Sequence, residues 1–277
     1  MSQKSILITG CSSGIGYDAA HTLQKRGWRV FATCRSEVDC ERLRGEGLES
    51  FRLDYQDEAS IQTAIDETLS RTGGTLDALF NNGAYAIPGA VEDLSRDALR
   101  DIFETNVFGQ IDLSNRLLPV MRAQGHGRII HNSSVLGFIS TPFRGSYCAT
   151  KFALEALTDA QRMEHKDTQI KFILIEPGPI PTDFRINAAK QFEKWIDWKN
   201  AHRKDYYEGE VRKRLYDTSG KKDFSELPVS AVTDKLIHAL ESTRPHPRYY
   251  VTLATHFSNI LRRVLPTRLL DAVLSRQ

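Results

Sequence analysis

Short apolar runs alternate with longer helical patterns along most of this chain, and that alternation constrains its fold more than any other feature. The strand-like runs are residues 5–9, 29–33, 49–53, 78–81, 128–133, 171–176 and 248–252. Helical spacing fills 14–26, 57–71, 95–123, 146–166 and 229–242. Strands that are apolar on both faces suit a parallel sheet covered by helices on each side. Right-handed crossovers then predict an α/β, doubly wound parallel sheet of about seven strands. No repeat or low-complexity linker interrupts the pattern, and 277 residues fit one domain, 1–277.

In such sheets ligands bind at the carboxyl ends of the strands. Six loops carry glycine or polar signals to that one edge. The first holds Gly10, Ser12, Ser13, Gly14, Ile15 and Gly16 between a strand and a helical pattern. Its glycines let backbone approach a pyrophosphate at a helix N-terminus, where N–H groups and the dipole favour anions. The spacing is G-x-x-x-G-x-G, and no Gly-Lys-Ser/Thr follows, which argues for a dinucleotide in a Rossmann-type fold and against a P-loop nucleotidase. A tight connection without ligand is the plainer alternative.

At the end of the second strand, where an acid would hold the ribose 2′-hydroxyl of NAD, stand Cys34 and Arg35. A guanidinium suits a 2′-phosphate, and Ser13 could add a hydroxyl, so NADP(H) is expected over NAD(H). Arg35 as a solvated loop residue is the alternative. Asp54, after the third strand, could accept from an adenine amino group or cap the next helix. Asn81 to Ala84 follow strand four, Ser134 strand five, and Pro177 to Thr182 strand six.

Tyr147 and Lys151 lie at i and i+4 of a helical stretch and therefore share a face. An ammonium beside a phenol favours the phenolate, lowering a pKa of about 10 and fitting the tyrosine for proton exchange with a carbonyl-derived oxygen. A hydroxyl from Ser134 could hold the same oxygen; Ser133 is its rival, and strand alternation points only one of them to a given face. His126 and His131 flank strand five with no partner acid at a telling spacing, so surface or packing roles are expected.

The charge balance is +2 and apolar content 40%, which gives no support to nucleic-acid binding. The four cysteines, Cys11, Cys34, Cys40 and Cys148, lack metal-ligand spacing and are too few for a disulfide scaffold, so no metal and a reducing cytoplasm are expected. The first strand starts at Ser5, so no signal peptide is expected, and no apolar run reaches the roughly 18 residues that span a bilayer. Residues 186–226 break the alternation. They carry Trp195, Trp198, Tyr206 and Tyr207, with Phe192, Trp195, Ile196 and Lys199 at helical spacing, where a helical lid over a substrate would sit. These aromatics either line an apolar pocket or anchor surface helices. The C-terminal extension, 254–277, is amphipathic: Phe257, Ile260, Leu261, Val264 and Leu265, then Leu269, Leu270, Val273 and Leu274, form an apolar stripe with Arg262 and Arg263 elsewhere. Core packing, a subunit contact or peripheral membrane contact would each use such a stripe.

With these residues placed, the chain resembles the classical short-chain dehydrogenase/reductase family over residues 4–253. Thr9-Gly10-x-x-x-Gly14-Ile15-Gly16 is similar to its cofactor loop, and Asn81-Asn82-Gly83-Ala84 stands where the family has Asn-Asn-Ala-Gly. The exchange of glycine and alanine leaves the turn at Gly83 open. Asn106, Ser134, Tyr147 and Lys151 match the family's catalytic residues, and Pro177-Gly178-Pro179-Ile180-x-Thr182 its carboxamide-facing loop. The wording is closest to the NADP-preferring branch with 17β-hydroxysteroid and retinol dehydrogenase-like enzymes. The resemblance implies hydride transfer between nicotinamide and a carbonyl or alcohol. Tyr147 would exchange the proton, Ser134 hold the substrate oxygen, and Lys151 bond the nicotinamide ribose. Asn106 would fix a relay water and Thr182 orient the carboxamide. It also implies a homodimer or homotetramer through the helices near 95–123 and 146–166. The lid and tail favour a lipophilic aldehyde, retinoid-like or steroid-like substrate. A 3-oxoacyl reductase, a non-catalytic NADP(H) redox sensor and a nucleotide-sugar epimerase or dehydratase are the alternatives. Intact Ser134, Tyr147 and Lys151 argue against the sensor, and the chain lacks the longer substrate domain of the last.

Overall fold

The computed structural model describes residues 3–219, 223 and 225–275. Its strands are β1 (Ser5–Thr9), β2 (Arg29–Cys34), β3 (Glu49–Arg52), β4 (Ala78–Asn81), β5 (Gly127–Asn132), β6 (Ile170–Glu176) and β7 (Arg248–Tyr250). All pair in parallel, in the order β3-β2-β1-β4-β5-β6-β7. The order reverses between β1 and β4, which opens a crevice at their carboxyl ends.

Side-chain alternation along the strands feeds two cores. Leu7, Phe31, Leu79, Ile129 and Phe172 face one side. There they meet Ile61, Ala64 and Ile65 of α3 (Glu58–Thr72) and Leu113, Leu117 and Met121 of α5 (Gly109–Ala123). Ile6, Ile8, Val30, Phe80, Ile130 and Ile173 face the other side. They pack on Ala19, Ala20 and Leu23 of α1 (Gly14–Lys25), Cys40 and Leu43 of α2 (Glu37–Gly45), and Val232, Leu236 and Leu240 of α10 (Ser230–Glu241). Each fully buried Leu, Ile or Phe contributes about 1.5–3 kcal/mol, so the two-sided burial holds the sheet that carries the site.

The remaining helices are α4 (Arg96–Phe103), α6 (Gly145–Glu164), α7 (Phe184–Trp195), α8 (Lys204–Tyr206), α9 (Arg212–Leu215), α11 (Leu253–Val264) and α12 (Thr267–Leu274). Four details depart from the sequence reading. α2 is an additional helix: it is highly charged and buries only Cys40 and Leu43, so it lacks a helical apolar stripe. The pattern 95–123 is two helices joined by a π-turn, Glu104–Phe108. Within that turn Asn106 is fully buried and bonds the backbone of Tyr85, and α5 begins at Gly109, where a Cβ would stand 2.4 Å from Tyr55. α7 stops at Trp195, so Ile196 and Lys199 lie past its end. β7 ends at Tyr250, and Thr252 caps α11 by accepting from the Thr255 N–H.

Residues 220–222 and 224 of the 186–226 segment, and 276–277 of the tail, lie outside the described residues. Among the described residues no helix is long and apolar enough to cross a membrane.

Candidate active site

The β1–α1 turn holds Gly10, Ser12, Ser13, Gly14, Ile15 and Gly16. Gly10 and Gly14 have φ of +67° and +58°, a region that side chains other than glycine rarely adopt. A Cβ on Gly16 would stand 2.3 Å from the Gly10 carbonyl oxygen. Ser13 starts α1 without a side-chain cap, so the first-turn N–H groups stay open toward the loop. Backbone N–H groups, an uncapped helix start and space without Cβ atoms fit a pyrophosphate. Arg35, at the end of β2, is exposed, and its side chain makes no hydrogen bond or ion pair among the described residues, which fits an incoming anion. Arg42 was not singled out from sequence. It donates to the Ser12 carbonyl at 2.6 Å and lies 5.5 Å from the Tyr17 ring centroid, so a second guanidinium borders the loop.

Asp54 follows β3, but the cap of α3 is Asp57, which accepts from the Ser60 N–H at 3.0 Å. Asp54 accepts instead from the Gln56 N–H at 3.2 Å and lies 3.5 Å from Arg52. After β4, Asn82 donates to the carbonyls of Thr9 and Gly10, and the Gly83 N–H donates to the Thr9 hydroxyl. A Cβ on Gly10 would lie 2.9 Å from the Gly83 Cα, so the two loops pack backbone to backbone. The turn left open by the Gly83–Ala84 exchange is thereby tied to the glycine loop. After β6, Pro177 is buried and its carbonyl accepts from the Val135 N–H at 2.8 Å. A Cβ on Gly178 would meet the Thr252 hydroxyl at 2.1 Å. Ile180 and Ile15 pack on the sheet core, and Thr182 closes over the glycine loop, 2.9 Å from where a Gly14 Cβ would be.

Tyr147 and Lys151 lie on one face of α6, both buried, with the Lys151 Nζ 5.6 Å from the Tyr147 ring centroid. Nζ donates to the Asn132 carbonyl at 2.6 Å. Strand alternation separates the two serines. Ser134 lies near the Tyr147 phenol, whose pKa it lowers, and accepts from the Leu136 N–H. Ser133 turns toward Glu155: a Cβ on Gly137 would meet Ser133 Oγ at 2.7 Å and Glu155 Cγ at 2.9 Å. The phenol departs from the expected electrostatics. Burial pushes its pKa above the ordinary value, and the nearby Ser134 hydroxyl only partly opposes this. Burial also pushes Lys151 down to about 8, with Glu155 acting the other way. Desolvation disfavours both charged forms and outweighs the pairing that the i, i+4 spacing suggests.

Asn106 accepts from the Tyr85 N–H at 3.1 Å and donates to the Tyr85 carbonyl at 2.8 Å and to Thr150 Oγ1 at 3.2 Å. Its side chain therefore joins α6 to the segment after β4. His131 is buried beside Asn81, at 3.3 Å, and is pushed down to about 3 by burial and by Lys151. His126 does have an acid partner, Asp77 at 3.0 Å, at the opposite end of the sheet from the glycine loop.

Behind Lys151 lies a cluster absent from the sequence reading. Tyr147, Lys151, Glu155 and Asp159 form an i, i+4 row along α6. Arg248 of β7 bonds Glu155, Glu176 at 2.5 Å and Asp159 at 2.6 Å. Glu176 is fully buried, and burial with the Glu155 charge pushes it up to about 8.

Within the 186–226 segment, Phe192, Ile196, Trp198 and Tyr207 are buried in one apolar cluster with Tyr85, Ile87, Ile102 and Tyr147. Tyr207 is an anchor: its hydroxyl donates to Asp93 at 2.6 Å and accepts from the Ala90 N–H at 2.7 Å. Trp198 lies under Arg212, 4.4 Å from ring centroid to guanidinium. Phe184, overlooked in the sequence, sets its ring edge-on to Tyr147 at 5.3 Å. Phe143 has φ of +60°, uncommon for a bulky residue, and stacks on Tyr206 at 4.4 Å.

A glycine loop that fits a dinucleotide, with Ser134 and the buried Tyr147 and Lys151 at the same sheet edge, suits a nicotinamide-dependent oxidoreductase. The family model for short chain dehydrogenases matches residues 4–193. An Escherichia coli (strain K12) protein described as uncharacterized oxidoreductase YbbO is 40% identical over 273 residues, covering 98% of this chain and 94% of that one. Human 17-beta-hydroxysteroid dehydrogenase type 6 is 33% identical over 285 residues, covering 100% and 89%. The crystal structure of a short-chain dehydrogenase from Streptomyces avermitilis superposes with a TM-score of 0.77 at 27% identity, covering 98% and 93%. The chain belongs to the short-chain dehydrogenase family.

Proposed function

We propose that this chain is an NADP(H)-dependent oxidoreductase whose substrate is a lipophilic carbonyl or its alcohol. The bound nicotinamide supplies or accepts the hydride. In reduction the Tyr147 hydroxyl gives its proton to the oxygen of the former carbonyl, and in oxidation it receives that proton. Ser134, near the phenol, holds the substrate oxygen within its reach. Lys151 donates hydrogen bonds from the Asn132 side of the site. A phenol whose pKa is raised keeps its proton at neutral pH, which suits the donor role in reduction. The turn at residues 10–16 holds the pyrophosphate, Arg35 a 2′-phosphate, and Thr182 the carboxamide side.

The observation that carries the substrate class is the half-buried Phe184 set edge-on to Tyr147. Apolar walls beside the proton donor favour apolar substrates through burial, about 0.8 kcal/mol per methylene removed from water. The relative named as a hydroxysteroid dehydrogenase fits the same class. The test is kcat/KM with NADPH across straight-chain aldehydes of increasing length. A rise of about threefold or more per added methylene over several members supports the reading. A flat or falling series, with activity confined to short or charged carbonyls, contradicts it.

A further inference from the structure

α11 is amphipathic the wrong way round for a helix packed on a protein. Its buried positions are polar: Thr255 is fully buried and Ser258 nearly so, and Thr252 Oγ1 meets Thr255 Oγ1 at 3.0 Å. Its apolar positions point out. Leu253, Phe257, Ile260 and Val264 are 73%, 61%, 57% and 71% exposed and form one stripe along the helix. Leu269 and Val273 extend the exposed stripe onto α12. A helix stabilised only by its own protein would turn that stripe inward. The polarity therefore calls for an apolar surface outside the chain.

Charge distinguishes the surfaces available. Residues 253–277 carry four arginines and one aspartate, net +3, while the whole chain is +2, so the rest sums to −1. Arg262 lies over Phe152, at 5.5 Å, and Arg263 and Arg268 are exposed beside the stripe without such a ring contact among the described residues. A symmetric contact with a second copy would bring two such basic tails together, which is repulsive. An anionic bilayer surface attracts them and accepts the stripe at its headgroup boundary. The opposite, inward side of α12 borders the candidate site. Leu270 and Leu274 of α12 pack on Phe138 and Ile139, with Val135 and Leu136 beside them, the residues directly after Ser134.

We propose that the outward apolar stripe of α11 and α12, flanked by Arg263 and Arg268, docks this chain in the interface of an anionic phospholipid bilayer, with the Ser134 side of the site at the lipid surface. The helices lie on the membrane and do not cross it. This contact is independent of which carbonyl is reduced.

The test is co-sedimentation of the full chain with vesicles of phosphatidylcholine containing about one third phosphatidylglycerol, and with phosphatidylcholine alone. Binding is expected to the anionic vesicles and to weaken when salt rises from about 0.1 M to about 0.5 M. A Phe257→Ser/Ile260→Ser variant should bind more than about tenfold more weakly with an unchanged thermal midpoint, because both side chains are exposed. Arg263→Glu/Arg268→Glu should lose the preference for anionic vesicles by a route that leaves the stripe intact. Absence of wild-type binding overturns the proposal, as does equal binding by the stripe variant. A stripe variant that instead converts a dimer to a monomer, with no vesicle binding by the wild type, assigns the face to a subunit contact and overturns it as well.

Discussion

The Lys151 ammonium donates to the backbone carbonyl of Asn132 at 2.6 Å, and through that residue it is tied to the glycine loop. Asn132 Nδ2 donates to Asn82 Oδ1 at 2.9 Å, and Asn82 Nδ2 donates to the Gly10 carbonyl at 3.2 Å. The groups assigned to proton transfer and to phosphate binding therefore share one short hydrogen-bonded chain. Asn82→Ala removes its middle link and leaves partly buried polar groups unpaired, a loss of about 1–3 kcal/mol. The Kd for NADPH should rise roughly tenfold and kcat should fall with it. Unchanged Kd and kcat in a folded variant would show that the chain is incidental.

The two serines that follow β5 should separate cleanly. Ser134→Ala removes the hydroxyl beside the Tyr147 phenol and should lower kcat by about 10–100-fold, while cofactor affinity stays within a few-fold. Ser133→Ala touches Glu155 instead and should leave kcat nearly unchanged. Steady-state kinetics of both variants check this, and the reverse ranking would contradict the assignment.

Arg35 carries the cofactor preference. A guanidinium with no hydrogen bond or ion pair among the described residues loses little when deleted unless it meets a 2′-phosphate, where a charge-assisted bond is worth about 1.5–3 kcal/mol. Arg35→Ala should raise the Kd for NADPH by about 10–100-fold and that for NADH by less than about threefold. Calorimetric titration of both cofactors measures the difference. Equal losses would remove the 2′-phosphate role.

Glu176 gives stability a pH dependence. Its folded pKa is pushed up to about 8 from an ordinary 4.5, by burial first and the Glu155 charge second. The folded chain then binds a proton that the unfolded chain has lost, so this contribution to stability is present at low pH and declines from pH 4.5 to about 8. Glu155, Asp159, Arg248, Tyr250 and Lys151 are the charged or titratable groups around it. Glu176→Gln keeps a neutral side chain at every pH. Its thermal midpoint should gain on the wild type as pH rises through that window; parallel curves would contradict the linkage.

Much of this molecule was legible because its signals are local. The strands 5–9 and 78–81 are bounded as their apolar runs end, and Gly10, Gly14 and Gly16 announce their turn by spacing alone. The Tyr147–Lys151 pair was readable because helical geometry fixes the neighbours of a side chain. What stayed hidden depends on partners distant in sequence. Arg248 reads as an ordinary strand arginine until Glu155 and Glu176 are brought to it. The break in the helical pattern 95–123 depends on the backbone of Tyr85, and Phe184 gains meaning only against Tyr147. The expected lowering of the Tyr147 pKa was misjudged for a related reason: spacing reveals a neighbouring charge but not how completely both groups lose water.

The most direct measurement is a single turnover of NADPH with a medium-chain aldehyde by the wild-type chain and by Tyr147→Phe, following loss of the reduced nicotinamide absorbance. The account predicts wild-type turnover and a fall of about 10²–10⁴-fold in the variant, with NADPH affinity retained within a few-fold. Turnover by Tyr147→Phe at a rate near wild type would contradict the central role given to that phenol.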